Sequence, residues 1–158
     1  MPGPGTAVRR QKLMAVSSGG GHWVQLCRLI PAFADCDVVY VSTDRAPPAA
    51  LRGAPYHSIP DAGQRQRLAL IPLAVRLTRI LLRERPDVVV STGAAPGLVA
   101  LALAKLLLRS RTVWIDSIAN VAELSTSGRL ARPVADAWLT QWEHLSRPEG
   151  PAHWGAVM

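Results

Sequence analysis

Three short stretches carry residue types that can bind and turn over a polar ligand. The first is Ser17-Ser18-Gly19-Gly20-Gly21-His22. Glycines let the main chain take φ > 0 and let a ligand approach it closely. A helix that opens there adds free N–H groups and a partial positive charge, which suits an anion. The spacing is not G-x-G-x-x-G and lacks the Lys-Ser/Thr ending of a P-loop. By itself the run reads equally as a tight turn, and His22 equally as a cap or packing residue. The second stretch, Ser91-Thr92-Gly93-Ala94-Ala95-Pro96-Gly97, is another loop of small residues. The third is Asp116-Ser117-Ile118-Ala119-Asn120, with a carboxylate, a hydroxyl and an amide. A histidine titrates near neutrality and suits proton transfer.

Each stretch sits where a strand hands over to a helix. Lys12 to Ser17 is a continuous apolar run of the kind buried in a parallel sheet. His22 to Ala34 has helical spacing, with Pro31 near its end. Asp37 to Ser42 reads as the second strand and Tyr56 to Ile59 as a short third. Thr43 to Gly53 is loop with one helical turn, and Asp61 to Gln66 is a polar loop. Pro86 to Ser91 is a strand, followed by a nearly all-apolar helix over Leu98 to Leu108 that the composition places between layers. Arg111 to Asp116 is the next strand, and a short helix runs to Leu130. Asp136 to Thr140 and His153 to Met158 complete the strands. Alternating strands and helices predict a doubly wound, Rossmann-like α/β parallel sheet. Ligands of such sheets bind outside the carboxyl ends of the strands, where all three stretches lie.

The segment Arg67 to Arg85 has Leu70, Leu73, Ala74, Leu77, Ile80 and Leu81 at helical spacing. Arg76, Arg79 and Arg83 fall together on the other side, and Ile71, Val75 and Leu82 widen the apolar arc up to them. Glu84 is the one acid. Two readings fit: a sheet-covering helix with a solvated basic face, or a helix lying on an anionic bilayer.

Length and composition bound the rest. The chain has 158 residues, 49% hydrophobic, which suits one folded domain over residues 12–158 behind a flexible basic tail at 1–11. Its net charge of +7 points to an anionic partner. No recognisable nucleic-acid module accompanies that charge, so no nucleic acid is expected. Cys27 and Cys36 fit neither a disulfide framework nor a zinc pattern, and they suit the core of a protein in a reducing compartment. No apolar run reaches the roughly 20 residues of a membrane span. No signal core follows the N-terminus, and the protein is expected on the cytoplasmic side.

In their order and setting, Ser-Ser-Gly-Gly-Gly-His, Pro-Asp-Val-Val-Val-Ser-Thr-Gly and Trp-Ile-Asp-Ser-Ile-Ala-Asn resemble the N-terminal domain of GT-B glycosyltransferases of the MurG type. The chain is more similar still to stand-alone half-subunits of split enzymes: the membrane-anchor subunit of the dolichol-linked chitobiose synthase, and PssD-type subunits of bacterial exopolysaccharide synthesis. The likeness spans roughly residues 12–158. It implies an acceptor-binding, membrane-recruiting subunit that needs a second, UDP-sugar-binding catalytic subunit, because the donor half's signature does not follow residue 130. The transfer it implies is N-acetylglucosaminyl- or glucuronosyl-type, onto a polyprenyl-diphosphate-linked saccharide, with no cofactor and no metal. Carried over residue by residue, Ser18, Gly19, Gly20, Gly21, Ser91, Thr92, Gly93, Asp116, Ser117 and Asn120 would bind the acceptor and its diphosphate. His22 would act as base or orient the phosphate.

Two departures qualify the resemblance. Asp116 stands where the family often has glutamate. Met1 to Lys12 carries no membrane helix, so Arg76, Arg79 and Arg83 become the expected membrane-binding residues of a peripheral protein. At the C-terminus, Trp154, Val157 and Met158 either finish the sheet or help form the partner interface. The alternative function is a stand-alone Rossmann-like nucleotide- or phosphate-binding protein.

Overall fold

The computed structural model describes residues 9–62 and 67–157. Seven parallel strands form one sheet in the order β3-β2-β1-β4-β5-β6-β7. They are β1 (Gln11–Ser17), β2 (Cys36–Ser42), β3 (Tyr56–Ser58), β4 (Val88–Ser91), β5 (Arg111–Ile115), β6 (Ala137–Thr140) and β7 (Ala152–His153). The helices are α1 (Gly21–Arg28), α2 (Leu70–Glu84), α3 (Ala94–Leu108) and α4 (Thr126–Ala131).

The apolar runs alternate between two cores, as a strand's two-residue period requires. Met14, Val16, Val41, Val89 and Trp114 meet α2, α3 and α4 on one face. Leu13, Ala15, Tyr40 and Val90 meet Trp23 and Leu26 of α1 on the other. Trp23 is held edge-on by Tyr40 and Tyr56, with ring centroids 6.2 and 6.0 Å away. On this second face Val113 and Ile115 of β5 are only half-buried.

The order reverses between β1 and its neighbour β4. The loops after these two strands therefore diverge to opposite faces and leave a crevice at their carboxyl ends. On the other side of β1, the Glu84 carboxylate accepts from Lys12 Nζ at 2.8 Å and pairs with His57 Nε2 at 2.9 Å, tying α2 to β1 and β3.

Several expected boundaries shift. α1 ends at Arg28, and Pro31 sits in a separate single turn, Ile30–Phe33, where its missing N–H is tolerated. α3 begins at Ala94 rather than Leu98, because Pro96 falls in the first turn, whose N–H groups are unpaired in any helix. α3 is also not enclosed between layers. Ala100, Leu101 and Ala104 are buried, but Leu106 is 78% exposed. The last strand is Ala152–His153 rather than His153 to Met158. Gly155, at φ +114°, turns the chain out of extended form, and Trp154 is 75% exposed. Arg9 pairs with Asp87 at 3.1 Å, while residues 1–8 of the expected tail and Met158 lie outside the described residues.

Candidate functional site: a crevice between two helix starts

The glycine run performs the turn that the sequence suggests. Gly20 takes φ +70°, and α1 starts at the next residue. Gly93 takes φ +137° ahead of α3. The two loops interlock across the crevice. His22 Nδ1 lies 3.0 Å from the Thr92 carbonyl, and Thr92 Oγ1 donates to the His22 carbonyl at 2.7 Å. A carbonyl only accepts, so Nδ1 carries the hydrogen and a neutral ring keeps its lone pair on Nε2. A Cβ on Gly93 would stand 2.5 Å from the imidazole, so glycine is required for the ring to lie there.

Between the starts of α1 and α3 lies a cavity of about 440 Å³, lined by Ser18, Gly20, His22, Asp44, Asp61 and Ala95 among others. Gly19 N–H donates to Thr43 Oγ1 at 2.7 Å. The Asp44 carboxylate stands against Gly19 so closely that a Cβ there would collide with it. The Tyr56 hydroxyl holds the Asp44 carbonyl at 2.7 Å.

The structure separates the expected site residues into two groups. Ser18, Gly19, Gly20 and His22 line the cavity. Ser91 and Thr92 are fully buried behind it. Ser91 Oγ accepts from Gly93 N–H at 3.2 Å, and a Cβ on Gly97 would run into that hydroxyl. Asp116 is 1% exposed and committed internally. It accepts from Trp114 Nε1 (3.2 Å), Asn120 Nδ2 (3.1 Å), Ser125 Oγ (2.6 Å) and Ser125 N–H (2.9 Å). Ser117 Oγ accepts from Gln25 Nε2 of α1 at 2.9 Å. Thus Asp116, Ser117 and Asn120 brace the β5 exit loop and are not brought to the cavity.

Thr43, Asp44 and Asp61 also line the cavity and were not singled out from sequence, whereas Ala94–Pro96 belong to the second small-residue stretch. Asp44 lies two residues past the end of β2, and the rule that ligands sit at strand carboxyl ends was the available signal. Burial raises the Cys27 thiol above its ordinary range, in keeping with a packing residue.

Arg76, Arg79 and Arg83 are all exposed on α2, beside exposed Ile71, Val75 and Leu82. Among the described residues no helix is long and apolar enough to cross a membrane. A hollow of about 930 Å³ lies away from the glycine loops, at the amino ends of β4, β5 and β6. Trp154 forms part of its wall. Val157 N–H is held by Gln141 Oε1 at 2.7 Å.

Fold and crevice define a Rossmann-like α/β domain with a crevice at the switch between β1 and β4. The chain belongs to the family described as "Oligosaccharide biosynthesis protein Alg14 like", whose sequence model matches residues 65–157. It is 38% identical to the UDP-N-acetylglucosamine transferase subunit ALG14 of Eremothecium gossypii, over 54% of this chain and 41% of that protein. It is 26% identical to the protein of the same name from Yarrowia lipolytica, over 93% of this chain and 81% of that one. Among solved structures it is similar to Acinetobacter baumannii MurG, with a TM-score of 0.65 and 15% identity, over 94% of this chain and 44% of that one. The UDP-N-acetylglucosamine 2-epimerase of Rickettsia bellii gives a TM-score of 0.63 and 16% identity, over 86% and 40%. At such identities these likenesses establish the fold alone.

Proposed function

We propose that this chain is the acceptor-binding and membrane-recruiting subunit of a two-subunit UDP-sugar glycosyltransferase. Its acceptor is a polyprenyl-diphosphate-linked saccharide, and the transferred sugar is of N-acetylglucosamine or glucuronic acid type. The observation that carries the reading is the His22–Thr92 interlock, which fixes a histidine, its Nε2 unbonded among the described residues, beside a cavity at the sheet's switch point, in a chain of the Alg14-like family. The acceptor's sugar occupies the crevice of Ser18, Gly19, Gly20 and His22, where Gly21 opens α1, with Ser91, Thr92 and Gly93 holding its second wall. Asp116, Ser117 and Asn120 brace the neighbouring β5 exit loop, which Ser117 ties to Gln25 of α1.

In the reaction the acceptor hydroxyl oxygen attacks the anomeric carbon of the donor. The bond to the UDP oxygen breaks, UDP leaves with the electron pair, and His22 Nε2 takes the hydroxyl proton. The donor comes from a second, catalytic subunit that docks near Trp154, Val157 and Met158. Trp154, a large apolar side chain left 75% exposed, is the group such an interface would cover. The protein works peripherally at the cytoplasmic face of a membrane, with Arg76, Arg79 and Arg83 against anionic headgroups.

The test is an assay of the purified chain with UDP-N-acetylglucosamine or UDP-glucuronic acid and a polyprenyl-diphosphate sugar, with and without the partner subunit. Turnover is expected only from the pair. Robust transfer by this chain alone overturns the half-enzyme reading.

A further inference from the structure

The crevice between α1 and α3 and the hollow beside it carry opposite charge. Two helix starts bring about half a positive charge each to the crevice. Asp44 and Asp61 line the same space with a full negative charge each, which outweighs the dipoles by about one unit. The glycine loop is already engaged from within at its first glycine: Gly19 N–H is spent on Thr43 Oγ1, and the Asp44 carboxylate stands against Gly19. A diphosphate entering there meets its own sign. A neutral sugar does not, since its hydroxyls donate to carboxylates and accept from helix N–H groups.

Thr43 and Asp61 also line an adjoining hollow of about 620 Å³, whose walls include Ser58, Arg45 and Arg76. Two guanidinium groups against one carboxylate leave this hollow positive. Among the described residues neither arginine has an ion-pair partner. Planar guanidinium groups suit phosphate oxygens, which they bind two at a time. Arg76 adjoins exposed Val75 on α2, and Ile71 and Leu68 continue that apolar surface.

We infer that Arg45 and Arg76 form the diphosphate subsite of the acceptor, while the crevice of His22, Asp44 and Asp61 holds its uncharged sugar. The inference rests on the acceptor reading above and deepens it. Apolar α2 surface, arginine hollow and acidic crevice then follow one another in the order of prenyl chain, diphosphate and sugar. Asp61, shared by both spaces, fences the diphosphate from the sugar side.

The experiment titrates inorganic diphosphate, and separately farnesyl diphosphate, into the full chain by calorimetry, with a thermal melt to check each variant's fold. Arg45→Gln and Arg76→Gln, both at exposed positions, should each weaken binding about tenfold, the equivalent of about 1.4 kcal/mol. Asp61→Asn should tighten it, and Gly20→Val should leave inorganic diphosphate binding within twofold of the parent. The lipid-headgroup source is separated by sedimentation with phosphatidylglycerol vesicles, where Arg45→Gln should bind as the parent does. Loss of diphosphate binding in Gly20→Val, with both arginine variants intact, overturns the inference and leaves the acceptor reading standing. A parent chain that binds neither probe overturns both. Unchanged diphosphate affinity with reduced vesicle binding in Arg45→Gln and Arg76→Gln makes the hollow a headgroup site and also overturns the inference.

Discussion

His22 and Thr92, 70 residues apart, hold each other by two hydrogen bonds: imidazole Nδ1 to the Thr92 carbonyl at 3.0 Å, and Thr92 Oγ1 to the His22 carbonyl at 2.7 Å. Neither bond belongs to the sheet. Together they set both the distance between the β1 and β4 exit loops and the orientation of the one histidine that lines the crevice. His22→Ala should cut kcat of the assembled enzyme about 100-fold if His22 is the base. Thr92→Val keeps the shape, loses the hydroxyl bond and should cost about 1 kcal/mol of stability with a smaller loss of kcat. Steady-state kinetics and melting curves check both. Full activity in His22→Ala removes the base role.

Gly93→Ala tests the same joint sterically. The new methyl would stand 2.5 Å from the imidazole, at a backbone angle of φ +137° that side chains disfavour. The expected cost is about 1–3 kcal/mol in thermal unfolding, with loss of crevice function. A variant that melts like the parent would show that the ring moves freely.

The membrane reading has its own test. Arg76, Arg79 and Arg83 project from a helix face whose exposed neighbours are apolar and which carries no exposed carboxylate. Each should contribute roughly 1 kcal/mol near an anionic surface. Replacing all three with Glu should release the protein from acidic vesicles without altering its melting curve, as read by sedimentation. Sedimentation equal to the parent's assigns the face to solvent.

For the partner, Trp154 is the sharper probe than the chain's end. Its ring is 75% exposed, whereas Val157 N–H satisfies the buried Gln141 amide oxygen. Trp154→Ala should therefore weaken pull-down of the catalytic subunit and leave the melting temperature within a degree or two. Removal of Val157 and Met158 should also lower stability, by about 1–3 kcal/mol, because it orphans that oxygen. A Trp154→Ala chain that captures its partner at full strength moves the interface elsewhere.

Glu84 predicts an acid limit. The Lys12 ammonium, and after it His57, hold the carboxyl below the ordinary glutamate range despite the opposing effect of burial. The folded state thus favours the charged form. This contribution is complete above the unfolded value, about 4.3, and is lost as pH falls through the lower folded value. Asp136 behaves alike through Lys105 and the Thr112 backbone N–H. Glu84→Gln should lose about 1–2 kcal/mol at pH 7, and the gap to the parent should close on acidification below about pH 4. A gap that persists at pH 2 would assign the loss to packing.

The order of elements was legible in the chain because it depends on near neighbours. Leu13 to Val16 alternates between two cores, Pro86 stops α2, and glycines stand where loops must turn sharply. The boundaries that sequence misplaced were set by distant contacts or by permissive first turns. Pro96 looked like a loop residue and is the third residue of α3, while Trp154 looked like strand and points to solvent. The three candidate loops were likewise visible as residue types, but their division of labour was not. Asp116, Ser117 and Asn120 read as ligand groups, and the fold turns Asp116 inward onto Trp114 and Ser125, which lie on neighbouring elements. Asp44 read as an ordinary loop acid. Only the pairing of β2 beside β1 brings its carboxylate against Gly19 and makes the charge of the crevice negative. Local sequence determines which backbone shapes are affordable. The sign of a site's field is a sum over groups far apart in the chain, and only the tertiary structure brings those groups together.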